Sequence, residues 1–373
     1  MQIGLITIYH VPNFGSVLQT FATQTVLEKL GCKCRIIKYI YPNDWHYSQG
    51  WKKSSLLYRS LRRYLGITSF SIKELKLQLF RLRRLHFTKT YYSLDSLLSE
   101  NWANYDAFVV GSDQVWNPRF LLGDNAFLLS FVPHGKPRYS IASSFAQKEL
   151  PSHLVSKYRK ELKQFNGLSV REYYGVEIIR DQLGIDSDVS ICLDPTLLLS
   201  RAQWLSALRI TTNINNSRPY ILVYMLRYAF EPQPYIWEVV KHFQSRMGCD
   251  VIALAGYTKP EHALGINMKD ATSSSVKRFI ELFANASLVV TSSFHGTAFA
   301  LNFGQPLISI TPQDSSDDRQ SSLLNSVGAS SSIANMGTNP NEINPVYDNS
   351  LVSKRIQELR MKSIEWITSN IVK

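Results

Sequence analysis

Short apolar runs alternate with longer stretches in which apolar positions recur every three or four residues. This alternation starts twice along the chain. Residues 4–9 read as a buried strand. Val17, Leu18, Phe21, Ala22, Thr25, Val26 and Leu30 then fall at helical spacing over 16–30, with Gly31 as the stop and a second strand over 34–39. Further strands are predicted over 105–110, 138–142, 167–170 and 190–193, with helices over 154–164 and 172–183, the latter ended by Gly184. A polar stretch at 211–219 has linker composition. Beyond it the pattern restarts: strand 220–226, helix 233–247, strand 250–255, helix 274–284, strand 288–291, helix 297–303 closed by Gly304, and strand 306–310. The last helix, 351–370, is amphipathic, and no short repeat is present. The expected architecture is α/β, with two doubly wound domains at 1–210 and 218–350 and a C-terminal helical segment at 351–373. In such folds ligands bind beyond the carboxyl ends of the strands.

One insertion, at about 52–90, departs from the alternation. Leu56, Leu57, Leu61, Tyr64 and Leu65 form an apolar stripe beside Arg59, Arg62 and Arg63, and Leu75, Leu77, Leu79, Phe80, Leu82 and Leu85 repeat the theme. One or two basic amphipathic helices are expected. They serve either as cover helices with a solvated basic face or as a dock for an anionic membrane surface or a phosphorylated lipid carrier. The charge supports singling this segment out. Between Lys52 and Lys89 stand Lys52, Lys53, Arg59, Arg62, Arg63, Lys73, Lys76, Arg81, Arg83, Arg84 and Lys89 against one acid, Glu74, so most of the net charge of +12 lies here. A protein that coats nucleic acid spreads its charge more widely, so no nucleic-acid partner is expected.

The length of 373 residues suits two domains, and 45% hydrophobic with 19% charged residues is an ordinary globular composition. The 19 Tyr and 18 Phe suit carbohydrate surfaces and equally suit packing. No apolar run reaches the roughly 18 residues a membrane span needs. The first eight residues carry no basic leader and read as a strand, not a signal peptide. Cys32, Cys34, Cys192 and Cys249 are scattered without Cys-x-x-Cys spacing or a histidine cluster, so neither a metal nor another cofactor is expected, and the location expected is a reducing cytoplasm.

The predicted strand ends are rich in functional groups. They carry Asn13-Phe14-Gly15-Ser16, then Asp113, Gln114 and Asn117, then Ser169-Val170-Arg171-Glu172, then Asp194-Pro195-Thr196, and finally Thr291-Ser292-Ser293-Phe294-His295-Gly296. A charged loop, Asp317-Asp318-Arg319-Gln320-Ser321-Ser322, follows. The 291–296 stretch hands a strand over to a helix, which puts N–H donors and the positive end of a helix dipole next to a titratable imidazole. Each loop also has a structural reading. His295 suits a buried, hydrogen-bonded core histidine, Arg171–Glu172 a structural ion pair, Asp194 a turn cap, and Asp317 with Asp318 solvated loop charges. No Gly-x-Gly-x-x-Gly or Walker-type loop follows any strand, which disfavours dinucleotide dehydrogenases and nucleoside triphosphatases.

Five of these pieces, together with one more stretch, resemble the polysaccharide pyruvyl transferase family. They are Asn13-Phe14-Gly15-Ser16-Val17-Leu18-Gln19, Gly111-Ser112-Asp113-Gln114-Val115-Trp116-Asn117-Pro118, Ser140-Ile141-Ala142-Ser143-Ser144-Phe145, Ser169-Val170-Arg171-Glu172, Asp194-Pro195-Thr196 and Ser293-Phe294-His295-Gly296. They occur in family order over roughly residues 1 to 330. The resemblance implies two Rossmann-like domains facing across a cleft, as in GT-B glycosyltransferases. It also implies phosphoenolpyruvate as donor and a lipid-linked or nucleotide-linked cell-surface glycan precursor, of galactose type, as acceptor. The product implied is a cyclic pyruvate ketal. Apart from the resemblance, the cysteine usage makes the cytoplasm the expected location, and the membrane-docking reading of the basic segment would make the protein peripheral at the inner face of the plasma membrane. On this reading His295 and Asp113 are catalytic. Arg171, Ser293, Phe294, Gly296 and Arg319 bind the donor, with Arg171 gripping it in bidentate fashion, and Asn13, Gln19 and Asn117 face the acceptor. Relatives often carry a basic residue where this chain has Ser293, and an acid where it has Ser292. Arg319 is the expected substitute cation. Two other classes stay open: a glycosyltransferase using a nucleotide sugar, and a non-catalytic glycan-assembly binding protein.

Overall fold

The computed structural model describes residues 1–41, 71–211, 218–254, 262–314 and 319–372. The described residues form two compact units, Met1–Leu198 with Leu359–Lys373, and Leu199–Glu358.

The first unit is built on β1 (Gln2–Ile6), β2 (Lys33–Tyr39), β3 (Phe87–Tyr91), β4 (Ala107–Asp113), β5 (Arg138–Ser143), β6 (Leu168–Val170) and β7 (Val189–Ile191). Among the described residues they form one sheet in the order β3-β2-β1-β4-β5-β6-β7, and every pairing is parallel. All seven residues of β4 are buried, as a central strand covered on both faces requires. Helix α1 (Phe14–Lys29) follows β1 and is capped by Asn13. Helix α2 (Ile72–Arg84) precedes β3, and α3 (Ser152–Leu162) and α4 (Pro195–Leu198) follow β5 and β7.

The second unit opens with α5 (Arg201–Ala207) and carries β8 (Tyr220–Tyr224), α6 (Tyr235–Met247), β9 (Asp250–Ala253), β10 (Met268–Asp270), α7 (Val276–Ala284), β11 (Leu288–Thr291), α8 (Phe294–Phe303), β12 (Leu307–Thr311), α9 (Arg319–Val327), β13 (Ile333–Asn335) and the first half of α10 (Asn349–Ile367), which passes into the first unit at Leu359. Its described strands form a parallel sheet in the order β10-β9-β8-β11-β12-β13.

In each sheet the strand order reverses once, between β1 and β4 in the first and between β8 and β11 in the second. Such switch points are where loops diverge and leave room for a ligand.

The units divide at Leu198, ahead of the polar 211–219 stretch expected as the junction; residues 212–217 lie outside the described residues. The reason lies in α5. Arg201 donates to the carbonyls of Phe303 (2.7 Å) and Ala284 (3.0 Å), and Trp204 packs edge-on against Phe299. These contacts commit α5 to the second unit before the polar stretch begins. The C-terminal segment is not separate either. From Leu359 it belongs to the first unit, where Ser363 Oγ accepts from the Leu193 N–H at 3.0 Å and Arg360 Nε donates to Leu197 O at 2.6 Å.

The basic insertion differs most from expectation. Its residues 52–70 lie outside the described residues, and 87–91 form strand β3. Helix α2 buries Glu74, Leu77 and Arg81. Arg81 Nη1 donates to Glu74 Oε1 at 2.8 Å and Gln78 Oε1 at 2.9 Å, and Nη2 donates to Val11 O at 2.9 Å. The Arg81–Glu74 pair faces inward, while Ile72, Leu75, Leu79 and Leu82 face outward.

Candidate active site

At the switch point of the first sheet, the loop after β1 and the end of β4 are tied together. Asn13 accepts the Gly15 N–H at 2.8 Å and starts α1, which brings Ser16 to Asp113. Ser16 Oγ donates to Asp113 Oδ2 at 2.7 Å, and the Gln114 N–H donates to Oδ1 at 2.9 Å. Asp113 itself holds φ = 70°, a left-handed conformation uncommon for aspartate. Each carboxylate oxygen has a second lone pair, so Asp113 can still accept from a ligand hydroxyl.

Below this pair runs a buried polar chain. Gln19 Nε2 donates to Thr7 Oγ1 at 2.9 Å and Ile8 O at 3.3 Å, and Thr7 Oγ1 donates to Ser112 O at 3.0 Å. Ser112 Oγ donates to Ala142 O at 2.6 Å and Asp194 Oδ2 at 3.2 Å. Arg171 joins the same carboxylate, with Nη1 2.8 Å from Asp194 Oδ2 and Nε 2.7 Å from Glu172 Oε1. Asp194 Oδ1 accepts from the Thr196 N–H at 3.0 Å and the Thr196 hydroxyl at 2.7 Å. Apart from Gln19, which reaches in from α1, these residues lie at or just beyond the carboxyl ends of β1, β4, β5, β6 and β7.

This geometry changes several expected roles. Gln19 is fully buried and braces Thr7, so it acts from beneath the surface. Asn117 donates to Gln114 Oε1 at 2.7 Å and caps the short helix Pro118–Leu121, so it shapes its own loop. Arg171 has its Nε and Nη1 on protein carboxylates and a side chain only 3% exposed, which conflicts with an open bidentate grip on a donor. Asn13 is partly exposed and remains at the loop surface.

In the second unit, β8 and β11 end at the other switch point. Thr291 Oγ1 donates to Tyr224 O at 2.6 Å and accepts the Ser293 N–H at 3.1 Å. Ser292 exchanges two bonds with Leu226, donating to its carbonyl at 2.8 Å and accepting its N–H at 3.0 Å. The loops after the two strands are thereby locked together. Ser293 is the N-cap of α8, its hydroxyl accepting the Gly296 N–H at 3.3 Å. Helix α8 starts at Phe294, three residues earlier than its apolar pattern predicts, so Phe294, His295 and Gly296 form its first turn.

His295 is 5% exposed and sits edge-on to Phe294 with ring centroids 5.4 Å apart. The Gly296 N–H is engaged by the Ser293 hydroxyl within the turn itself. Ser293 thus serves as a helix cap. Arg319, the expected substitute cation, is buried at the start of α9; Asp317 and Asp318 lie outside the described residues.

Sequence reasoning passed over a buried bridge behind this turn. Thr297 Oγ1 and Ser309 Oγ are 2.8 Å apart, and Gln320 Nε2 donates to Ser309 Oγ at 2.8 Å and Ile310 O at 3.1 Å. Its signal was the placement of Gln320 beside Arg319. Among the described residues no cluster of His, Cys, Asp and Glu has the makings of a metal site.

Comparison with solved structures finds two-domain proteins of the same fold. The S. aureus MnaA–UDP co-structure aligns with a TM-score of 0.53 at 12% identity, covering 100% of this chain and 98% of that one. A putative UDP-N-acetylglucosamine 2-epimerase from Listeria monocytogenes gives 0.52 at 13% identity, with 99% and 91% covered. The UDP-GlcNAc 2-epimerase from Neisseria meningitidis, bound to UDP-GlcNAc, gives 0.51 at 10% identity, with 97% and 100% covered. At such identities the likeness concerns the fold, two Rossmann-like domains of GT-B type. A search of curated proteins finds no significant relative. The polysaccharide pyruvyl transferase model matches residues 13–315, which include the Asn13 cap, Asp113, Arg171, Asp194 and the His295 turn. By that match over most of its length, the chain belongs to the polysaccharide pyruvyl transferase family.

Proposed function

We propose that the protein transfers the enolpyruvyl group of phosphoenolpyruvate to a sugar of a cell-surface polysaccharide precursor, of galactose type and carried on a lipid or a nucleotide. The enol methylene takes a proton, which makes the adjacent carbon electrophilic. One sugar hydroxyl attacks that carbon and loses its proton, and the carbon–oxygen bond to phosphate breaks. A second hydroxyl of the same sugar then closes the ketal and releases its proton. One phosphoenolpyruvate and one diol become one ketal and one phosphate.

The observation that carries this reading is the imidazole of His295 in the first turn of α8, at the switch point of the second sheet. A helix N-terminus favours an anion, and a neighbouring imidazole can both accept and donate a proton. His295 is proposed as the acid/base group at the donor, with Phe294 and Ser293 holding the turn. Arg319 is the proposed cation for the phosphate. Asp113 is proposed as the base for an acceptor hydroxyl, with Ser16 and Asn13 beside it. Arg171 is assigned a positioning role, fixing Glu172 and Asp194 at their strand ends.

The cheap test is ligand-dependent melting. Phosphoenolpyruvate at a hundredfold excess over its Kd stabilises by about 2.7 kcal/mol. A rise in melting temperature with phosphoenolpyruvate and none with UDP-sugars supports the pyruvyl reading. The reverse pattern favours a nucleotide-sugar transferase.

A further inference from the structure

Helix α2 shows solvent a face that a soluble cover helix normally hides. Ile72 (64% exposed), Leu75 (61%), Leu79 (41%) and Leu82 (62%) follow one another at spacings of three, four and three, so they form a single ridge. At the helical rise this ridge is about 15 Å long. Exposed Lys76 and Arg83 are on the same helix. The only acid between Lys52 and Lys89, Glu74, is turned inward onto Arg81, with both side chains at most 2% exposed. The outward side of α2 is therefore apolar and basic, with no acid.

We propose that this ridge is the contact surface for an anionic lipid bilayer. The leucines enter the boundary between headgroups and acyl chains, and Lys76 and Arg83 meet the anionic headgroups. No helix among the described residues is long and apolar enough to cross a membrane, so the contact is with the surface. Charge favours lipid over a second copy of this chain, because packing the ridge on its own twin brings like charges together. The inward Arg81, fixed by Glu74, Gln78 and the Val11 carbonyl, holds the helix in the orientation that presents the ridge. This inference concerns binding alone and stands apart from the pyruvyl-transfer reading.

The test is co-sedimentation of the full chain with phosphatidylcholine vesicles, with and without phosphatidylglycerol, and without substrate. Binding is expected to the anionic vesicles alone, and to fall at least about tenfold between about 50 mM and about 500 mM salt. The Leu75→Ser/Leu82→Ser and Lys76→Glu/Arg83→Glu variants should each weaken binding about tenfold or more at unchanged melting temperature. Absent binding, or equal binding to neutral vesicles, overturns the proposal. So does a clear drop in the melting temperature of Leu75→Ser/Leu82→Ser, which means that another part of the chain covers the ridge. Concentration-dependent dimers in sedimentation velocity that the same variant abolishes assign the ridge to a second copy instead.

Discussion

A Cβ on Gly296 has no room, because the hydroxyl of Thr291 occupies its place and Tyr224 stands 2.9 Å away. That hydroxyl is itself fixed, donating to the Tyr224 carbonyl and accepting the Ser293 N–H. Close approach of the helix start to the strand end is what sets His295 at the switch point. Gly296→Ala therefore forces the first turn of α8 away from β11. We expect a loss of about 1–3 kcal/mol in stability, by denaturant titration, with a larger relative loss of activity. The Gly296→Ala/Thr291→Ala double variant, which clears the hydroxyl, should recover part of the lost stability.

Asp194 joins Arg171, Ser112 and Thr196 in one buried network. Truncating one member of a buried ion pair leaves its partner's charge uncompensated, which costs about 3–5 kcal/mol. Asp194→Ala is expected to fall in that range by denaturant titration. Arg171→Met, which leaves Glu172 and Asp194 without their shared cation, should also be destabilised, and its kcat should suffer along with its KM for phosphoenolpyruvate. A stable Arg171→Met protein altered only in that KM returns Arg171 to direct donor contact.

Lys73 lies with its Nζ 4.8 Å from the centre of the Phe14 ring, at the start of α1. Burial there lowers its amine to about 8, against a smaller opposing pull from Glu74. Because the folded pKa lies below the unfolded one, the unfolded chain binds the extra proton between the two values, and stability rises with pH across that window. The contribution is lost as pH falls through about 8. Lys73→Met should accordingly raise the melting temperature relative to wild type more at pH 7 than at about pH 9.5. An equal difference at both pH values contradicts a buried amine.

Long, strongly patterned elements were legible in the sequence. The apolar run before Gly111 reads as a strand and forms most of the fully buried β4, and Gly304 closes α8 at φ = 67° as its glycine foretold. The edge strand Phe87–Tyr91 was hidden, since Phe-Thr-Lys-Thr-Tyr is short and carries the charge of its basic neighbours. The inward face of α2 was hidden for another reason. Burying Arg81 depends on partners in Glu74, Gln78 and a carbonyl 70 residues upstream, which helical periodicity does not encode. The same limit applies at the candidate site. Asp113 and His295 could be placed at strand ends by pattern, whereas the Ser16–Asp113 bond joins residues 97 positions apart and the engagement of Arg171 with Asp194 joins residues 23 apart.

Gln320 ties the start of α9, where Arg319 stands, to Ser309 and through it to Thr297 on α8. Gln320→Leu removes that tie and leaves the Ile310 carbonyl and the Ser309 hydroxyl short of a donor. We expect a loss of about 1–3 kcal/mol in stability and a raised KM for phosphoenolpyruvate, with Gln320→Glu failing to restore it because a carboxylate cannot donate. An unchanged KM in a folded variant separates this bridge from the donor site.

The central claim is acid/base catalysis of pyruvyl transfer by His295. Phosphate release from phosphoenolpyruvate by the purified protein, with and without a lipid-linked or nucleotide-linked galactose-type acceptor, tests it most directly when wild type and His295→Gln are compared. The account predicts acceptor-dependent phosphate release by wild type and a fall in kcat of about 100-fold or more in His295→Gln at near-wild-type melting temperature. Release at the wild-type rate by His295→Gln contradicts the role of His295, and no release by wild type across such acceptors contradicts the proposed reaction.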